Sequence, residues 1–229
     1  MSFRDLITRL AIVCPSYDKF TRYWWEGYEF ASLGLESQGG LMLLGGSRAS
    51  PTELLDWAKH LEGSGTRAIV FVGHGANDAL LTAPMLGESR PDLNGKHSVL
   101  ISSQSLSAYS FNSEGCFAYS CSSARMLGEL FGKCCGGFIG FLDEIPFSPV
   151  EGSSALEPVY LEIFLFVIRK IAEEGSVNHG VWRQVREFYG ECIDGLRDAA
   201  LSDEYARRLR MTLRWQLEDL TLWEGQDDA

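Results

Sequence analysis

Five short, almost uninterrupted apolar runs constrain this chain more than any other feature: Leu10–Cys14, Leu41–Leu44, Ala68–Val72, Cys116–Ser120 and Gly136–Leu142. A strand with one wet face alternates apolar and polar residues. These runs are apolar at nearly every position, so both of their faces must be covered. That pattern belongs to a mainly parallel sheet with helices on each side, and the fold class is α/β.

Helical segments lie between the runs. Ser50 is placed as an N-cap, Pro51 suits the first helical position, and Glu53 completes a capping box ahead of Leu54, Leu55, Trp57, Ala58 and Leu61. A second helix is predicted to start at Ser123, with Met126, Leu127, Leu130 and Phe131 on one face and Gly132 as its stop. Residues 79–112 are broken by Pro84, Gly87, Pro91 and Gly95, which predicts an irregular connection with one short strand near Val99–Ile101. From Ser154 the pattern is helical to the end. Its three stripes run from Leu156 to Ile171, from Val177 to Ile193, and through Tyr205, Leu209, Leu213, Leu217 and Leu220. The expected organisation is a core over residues 1–150 and a helical extension over 151–229 packed on it.

Hydrophobic residues at 45% and charged residues at 22% describe a folded globular chain. A net charge of −11 with no Lys/Arg run argues against nucleic-acid and anionic-membrane surfaces. No apolar stretch approaches the ~20 residues that span a bilayer, and the run at Leu10–Cys14 is too short for a secretory signal. Six cysteines are too few for a disulfide scaffold in a chain of this length, so a cytoplasmic protein with reduced thiols is expected. No Cys/His spacing resembles a zinc site, and neither a metal nor a cofactor is expected.

Two strand ends carry the chemistry. The third run closes in Val72-Gly73-His74-Gly75, where flanking glycines let a histidine sit exposed at the carboxyl edge of the sheet. The fourth closes in Tyr119-Ser120-Cys121-Ser122-Ser123 and is expected to pass straight into a helix, whose free amides would lower the thiol pKa of Cys121. A base and a nucleophile would then meet on adjacent strands.

These segments, together with Leu41 to Gly46, Ala49 to Leu55 and Gly136 to Phe141, resemble the caspase-like cysteine peptidases, and most closely the bacterial CHAT-type domains. The likeness runs in order through roughly residues 8–150. It implies a caspase-like sandwich with a C-terminal helical extension, His74 as base, Cys121 as nucleophile, and the amides of Gly75 and Cys121 as oxyanion hole. Animal caspases carry Gln-Ala before the nucleophile and metacaspases an aspartate two residues before it, where this chain has Tyr119. The resemblance also implies a regulated endopeptidase in bacterial defence or cell death. Its substrate would be a partner protein, such as a toxin or pore-forming protein, and it would answer to a regulatory partner. The segment after the fifth strand, from Phe141 to Phe147, would lie along the substrate, with Asp143, nearer the strand end, ahead of Glu144 in selecting Arg or Lys; if the two carboxylates form only a solvated turn, Tyr119 and Phe141 would instead shape an apolar pocket.

Two other functions fit the order of residues. Ser120, Asp143 and His179 have the sequence of an α/β-hydrolase esterase triad, although no Gly-x-Ser-x-Gly elbow surrounds Ser120. A caspase-like shape kept only for binding would make an inactive adaptor. His60, on an amphipathic helix, and His97, in a polar loop without an evident partner, read as structural. Gly45-Gly46-Ser47 reads as a turn, and the aromatic cluster Tyr23, Trp24, Trp25, Tyr28 and Phe30 as packing between a helix and the sheet.

Overall fold

The structure, a computed structural model, describes residues 10–32, 42–61, 68–106, 115–146 and 158–224. In chain order the strands are β1 (Leu10–Cys14), β2 (Met42–Gly45), β3 (Ala68–Val72), β4 (Gly75–Ala76), β5 (Ala79–Thr82), β6 (Ser98–Ser102), β7 (Cys116–Tyr119), β8 (Gly137–Phe141) and β9 (Leu220–Glu224). The helices are α1 (Lys19–Ser32), α2 (Pro51–Leu61), α3 (Met126–Cys135), α4 (Pro158–Glu174), α5 (His179–Gly195), α6 (Ala199–Ser202) and α7 (Glu204–Asp219).

The five apolar runs form the parallel part of one sheet, ordered β2-β1-β3-β7-β8, and β9 closes the far side antiparallel to β8. Their apolar character at every position follows from cover on both faces. In β3, Val70 and Val72 face a core built from Trp24 of α1, Phe164 and Val167 of α4, Val185 of α5 and Leu213 of α7. Ile69 and Phe71 point the other way, toward Leu54 of α2, Leu127 and Phe131 of α3, and Leu100 of β6. The alternation of successive side chains in a strand thus feeds two cores with one sequence.

The start of α2 follows the capping pattern: the Glu53 amide donates to Ser50 Oγ at 3.2 Å, and Pro51 is the first helical residue. The side chains of Trp57 and His60, and of Tyr28 and Phe30 on α1, lie outside the described residues, as do Leu41, Ser154, Leu156 and Phe147. Trp24 packs as expected between helix and sheet, with its ring centroid 4.9 Å from Tyr119 and 5.4 Å from Phe164.

Four expectations about the elements are corrected. The helix after β7 begins at Met126, not Ser123, because the Ser122 and Ala124 amides donate to the carbonyls of Asp143 and Phe141 and draw the chain across the end of β8. Ser122 takes a left-handed φ of 53° to make that turn. The same helix runs through Gly132 to Cys135 and stops at Gly136, whose φ is 100°. Gly132 is instead a contact residue, since a Cβ there would lie 2.9 Å from the Trp223 main-chain oxygen of β9.

In the stretch expected to be irregular, described up to residue 106, β6 covers the strand expected near Val99–Ile101, but β5 is a further strand, and with β4 just before it the three form an antiparallel sheet, β4-β5-β6. Its strands are short and one is bulged between Leu80 and Leu81, which hides their periodicity. The chain is also not helical to its end: Leu220, expected on the last stripe, opens β9 and pairs with Phe141. Thr221, Leu222 and Trp223 suit a strand, and the exposed edge of β8 is what recruits them. Among the described residues no helix is long and apolar enough to cross a membrane.

Candidate active site

The edge of the sheet brings the two strand ends together. The β3 and β7 ladder pairs Val72 with Tyr119, and the Gly73 amide extends it by donating to the Tyr119 carbonyl at 3.2 Å. His74 and Cys121 therefore follow on neighbouring chains at the carboxyl edge, where open α/β sheets bind ligands. The two segments touch at Gly75, where a Cβ would fall 2.2 Å from Ser120 Oγ and 2.4 Å from the Cys121 carbonyl. Only glycine fits that approach.

Asp18 holds His74 from behind. Its Oδ2 lies 2.6 Å from His74 Nε2, while its Oδ1 accepts the Thr21 amide at 2.8 Å and the Thr21 hydroxyl at 2.9 Å, which caps α1. Burial pushes the Asp18 carboxyl up, but the Thr21 bonds and the His74 ring outweigh it and hold it below the usual carboxylate range. Phe20 packs on the His74 ring at 5.1 Å. His97, read from sequence as lacking a partner, stands beside His74 with ring centroids 4.7 Å apart, and its Nδ1 meets the Tyr17 hydroxyl at 2.5 Å. Burial, then the neighbouring His74, lower the His97 pKa, against the opposing charge of Asp18.

Cys121 is partly buried, and its Sγ–H points to the Ile145 carbonyl at 3.9 Å. Its pKa is raised, chiefly by burial, with the charge of Glu144 adding to the effect and its own backbone amide opposing it. The expected activation by a helix N-terminus does not occur, for a specific reason. The first amides of α3, from Met126 and Leu127, both donate to the Asn77 carbonyl at 2.9 and 3.2 Å, in the turn that follows His74. The helix end serves to fix that turn and not to stabilise a thiolate. Cys14 and Cys116 are buried in the sheet.

The expected pocket residues separate into two groups. Tyr119 and Phe141 have no exposed surface; they meet edge to face at 5.4 Å within the core, so neither lines a pocket in this conformation. The Tyr119 hydroxyl donates to Gln216 of α7, which also accepts from Tyr189 and donates to the Pro146 carbonyl at 3.0 Å. Asp143 and Glu144 are both exposed, but Asp143 is bound by the Arg125 guanidinium, which also donates to the Leu142 carbonyl. Glu144 is the carboxylate whose charge reaches Cys121.

The serine-esterase order does not assemble. Ser120 is fully buried and its Oγ has no hydrogen-bond partner among the described residues, Asp143 is taken by Arg125, and the His179 ring packs on Trp182 at 5.3 Å. Sequence reasoning missed Tyr17, Asp18 and Gln216. The one signal available was Asp18-x-x-Thr21, a helix-cap pattern that announces the start of α1 but not the second carboxylate oxygen's role. Asp18, His74 and His97 each offer one donor atom, and these atoms all lie within 4.8 Å of one another. A scan against protein-family models finds no match for this chain, and a search of curated proteins finds none either.

Proposed function

We propose that this chain is a cysteine endopeptidase of the caspase-like, CHAT-type kind, in which Cys121 is the nucleophile, His74 its base and Asp18 the group that orients His74. The observation that carries the reading is the pairing of a carboxylate-held histidine with a cysteine on the adjacent strand end, at the ligand-binding edge of a parallel sheet. In the reaction His74 takes the thiol proton as Cys121 attacks the scissile carbonyl, then returns it to the leaving amine. Water hydrolyses the resulting acyl-enzyme with His74 again as base. The Gly75 and Cys121 amides are the proposed oxyanion donors, each contributing on the order of 3 kcal/mol.

The raised thiol pKa supports a resting enzyme that is switched on by a regulator. The partner protein it cleaves in the cytoplasm, a toxin or pore-forming protein in a defence or cell-death pathway, follows from the family likeness alone. A preference for Arg or Lys before the scissile bond rests on Glu144, because Asp143 is already neutralised by Arg125.

The test is digestion of a proteome-derived peptide library followed by mass spectrometry. Cleavage is expected with the wild type and Cys116→Ser, and none with Cys121→Ala or His74→Ala. Cleavage that survives Cys121→Ala, or that is lost in a folded Cys116→Ser, would refute the assignment.

A further inference from the structure

We infer that Asp18, His74 and His97 form a binding site for a divalent first-row transition ion such as Zn²⁺. Two imidazoles and one carboxylate are a donor set suited to zinc, cobalt, nickel or iron, and unlike the all-oxygen shells that calcium and magnesium require. The separations decide whether an ion fits. At bond lengths of about 2.0–2.2 Å, tetrahedral ligand atoms stand roughly 3.2–3.6 Å apart. The 2.6 Å contact between His74 Nε2 and Asp18 Oδ2 is shorter than that span and all three donors lie within 4.8 Å of one another, so a small opening of the Asp18–His74 pair seats the ion.

The surroundings suit such a site. Asp18 Oδ1 is fixed by Thr21, which leaves Oδ2 to ligate as a single oxygen. The Tyr17 hydroxyl holds one nitrogen of His97 and so sets its ring, the kind of outer support that metal-binding histidines have. All three residues are partly exposed, so an ion can enter from solvent and water can complete its coordination. They stand at positions 18, 74 and 97 on three separate loops, which is why no sequence spacing announced them.

Binding stands on this geometry alone; its consequence rests on the peptidase reading. An imidazole with one nitrogen on a metal and a proton on the other has no lone pair left to accept the thiol proton. A bound ion therefore switches His74 off as a base, and its removal restores it.

The test uses the full chain and Co²⁺ as the probe, followed by visible absorption, with Zn²⁺ displacing it in a calorimetric titration. The expected result is one ion per chain, d–d bands without a thiolate charge-transfer band, and an affinity weakened by at least about tenfold in both His97→Gln and Asp18→Asn. Cys121→Ala should bind as the wild type does. No binding by the wild type, a thiolate charge-transfer band, or unchanged affinity in both folded ligand variants would overturn the site. Because binding is read without any substrate, its failure leaves the peptidase reading standing, and failure of cleavage leaves the metal site standing.

Discussion

Asp18 uses its two carboxylate oxygens for two separate tasks, capping α1 through Oδ1 and holding His74 Nε2 through Oδ2 at 2.6 Å. The division makes the outcome of Asp18→Asn specific. Thr21 donates both its amide and its hydroxyl to Oδ1, which fixes the asparagine carbonyl there and turns its NH₂ group toward His74. An NH₂ donor on Nε2 forces the proton onto Nδ1 and removes the lone pair that would take the thiol proton. We expect Asp18→Asn to fold normally and to lose on the order of 10²-fold or more in kcat. A steady-state assay on the best library peptide reads this, and near-wild-type kcat would mean that Asp18 does no more than cap the helix.

Burial and the charge of Glu144 raise the Cys121 pKa, which fixes a sign for the pH dependence of its alkylation. The thiolate is the reactive form, so a raised pKa keeps the rate low at neutral pH and moves its rise upward, past the ordinary thiol value of about 8.5. Glu144→Gln removes a charge that opposes ionisation. Its midpoint should fall and its rate at neutral pH should increase. Iodoacetamide labelling read at the Cys121 peptide by mass spectrometry separates this thiol from the exposed Cys134. A wild-type midpoint below the ordinary value would show that a thiolate and imidazolium pair already exists without substrate.

Gln216 links α7 to the site, because its side chain accepts from Tyr119 and Tyr189 and donates to the carbonyl of Pro146, next to the Ile145 carbonyl that receives the Cys121 thiol. Gln216→Leu keeps the volume but removes its hydrogen bonds to the Tyr119 and Tyr189 hydroxyls and to the Pro146 carbonyl, each worth about 0.5–1.5 kcal/mol. We expect a loss of about 2–3 kcal/mol and a fall in Tm of roughly 5–10 °C for a chain of this size. The 142–146 segment should loosen as well, so Cys121 alkylation should speed up in the same variant. A thermal scan and the labelling assay together check this, and unchanged stability would show that the three bonds carry no net energy.

The sequence by itself determined the parallel sheet. Runs such as Ala68–Val72 and Cys116–Tyr119 are apolar at every position only because both faces are buried, and that local signal survives without tertiary context. It also determined that His74 and Cys121 stand at strand ends, and that Ser50 and Pro51 open α2. The tertiary structure decided the rest, through contacts between residues far apart in the chain. Asp18 reaches His74 across 56 positions, and Tyr17 reaches His97 across 80. Gln216 takes the Tyr119 hydroxyl across 97 positions. No periodicity records such pairings. The environment of Cys121 was settled in the same way: its position before a helix suggested a lowered pKa, but the Asn77 carbonyl takes the helix amides and burial governs the thiol. The strand at Leu220–Glu224 is a similar case, since five residues after a long helix have no pattern of their own until the open edge of β8 gives them a partner.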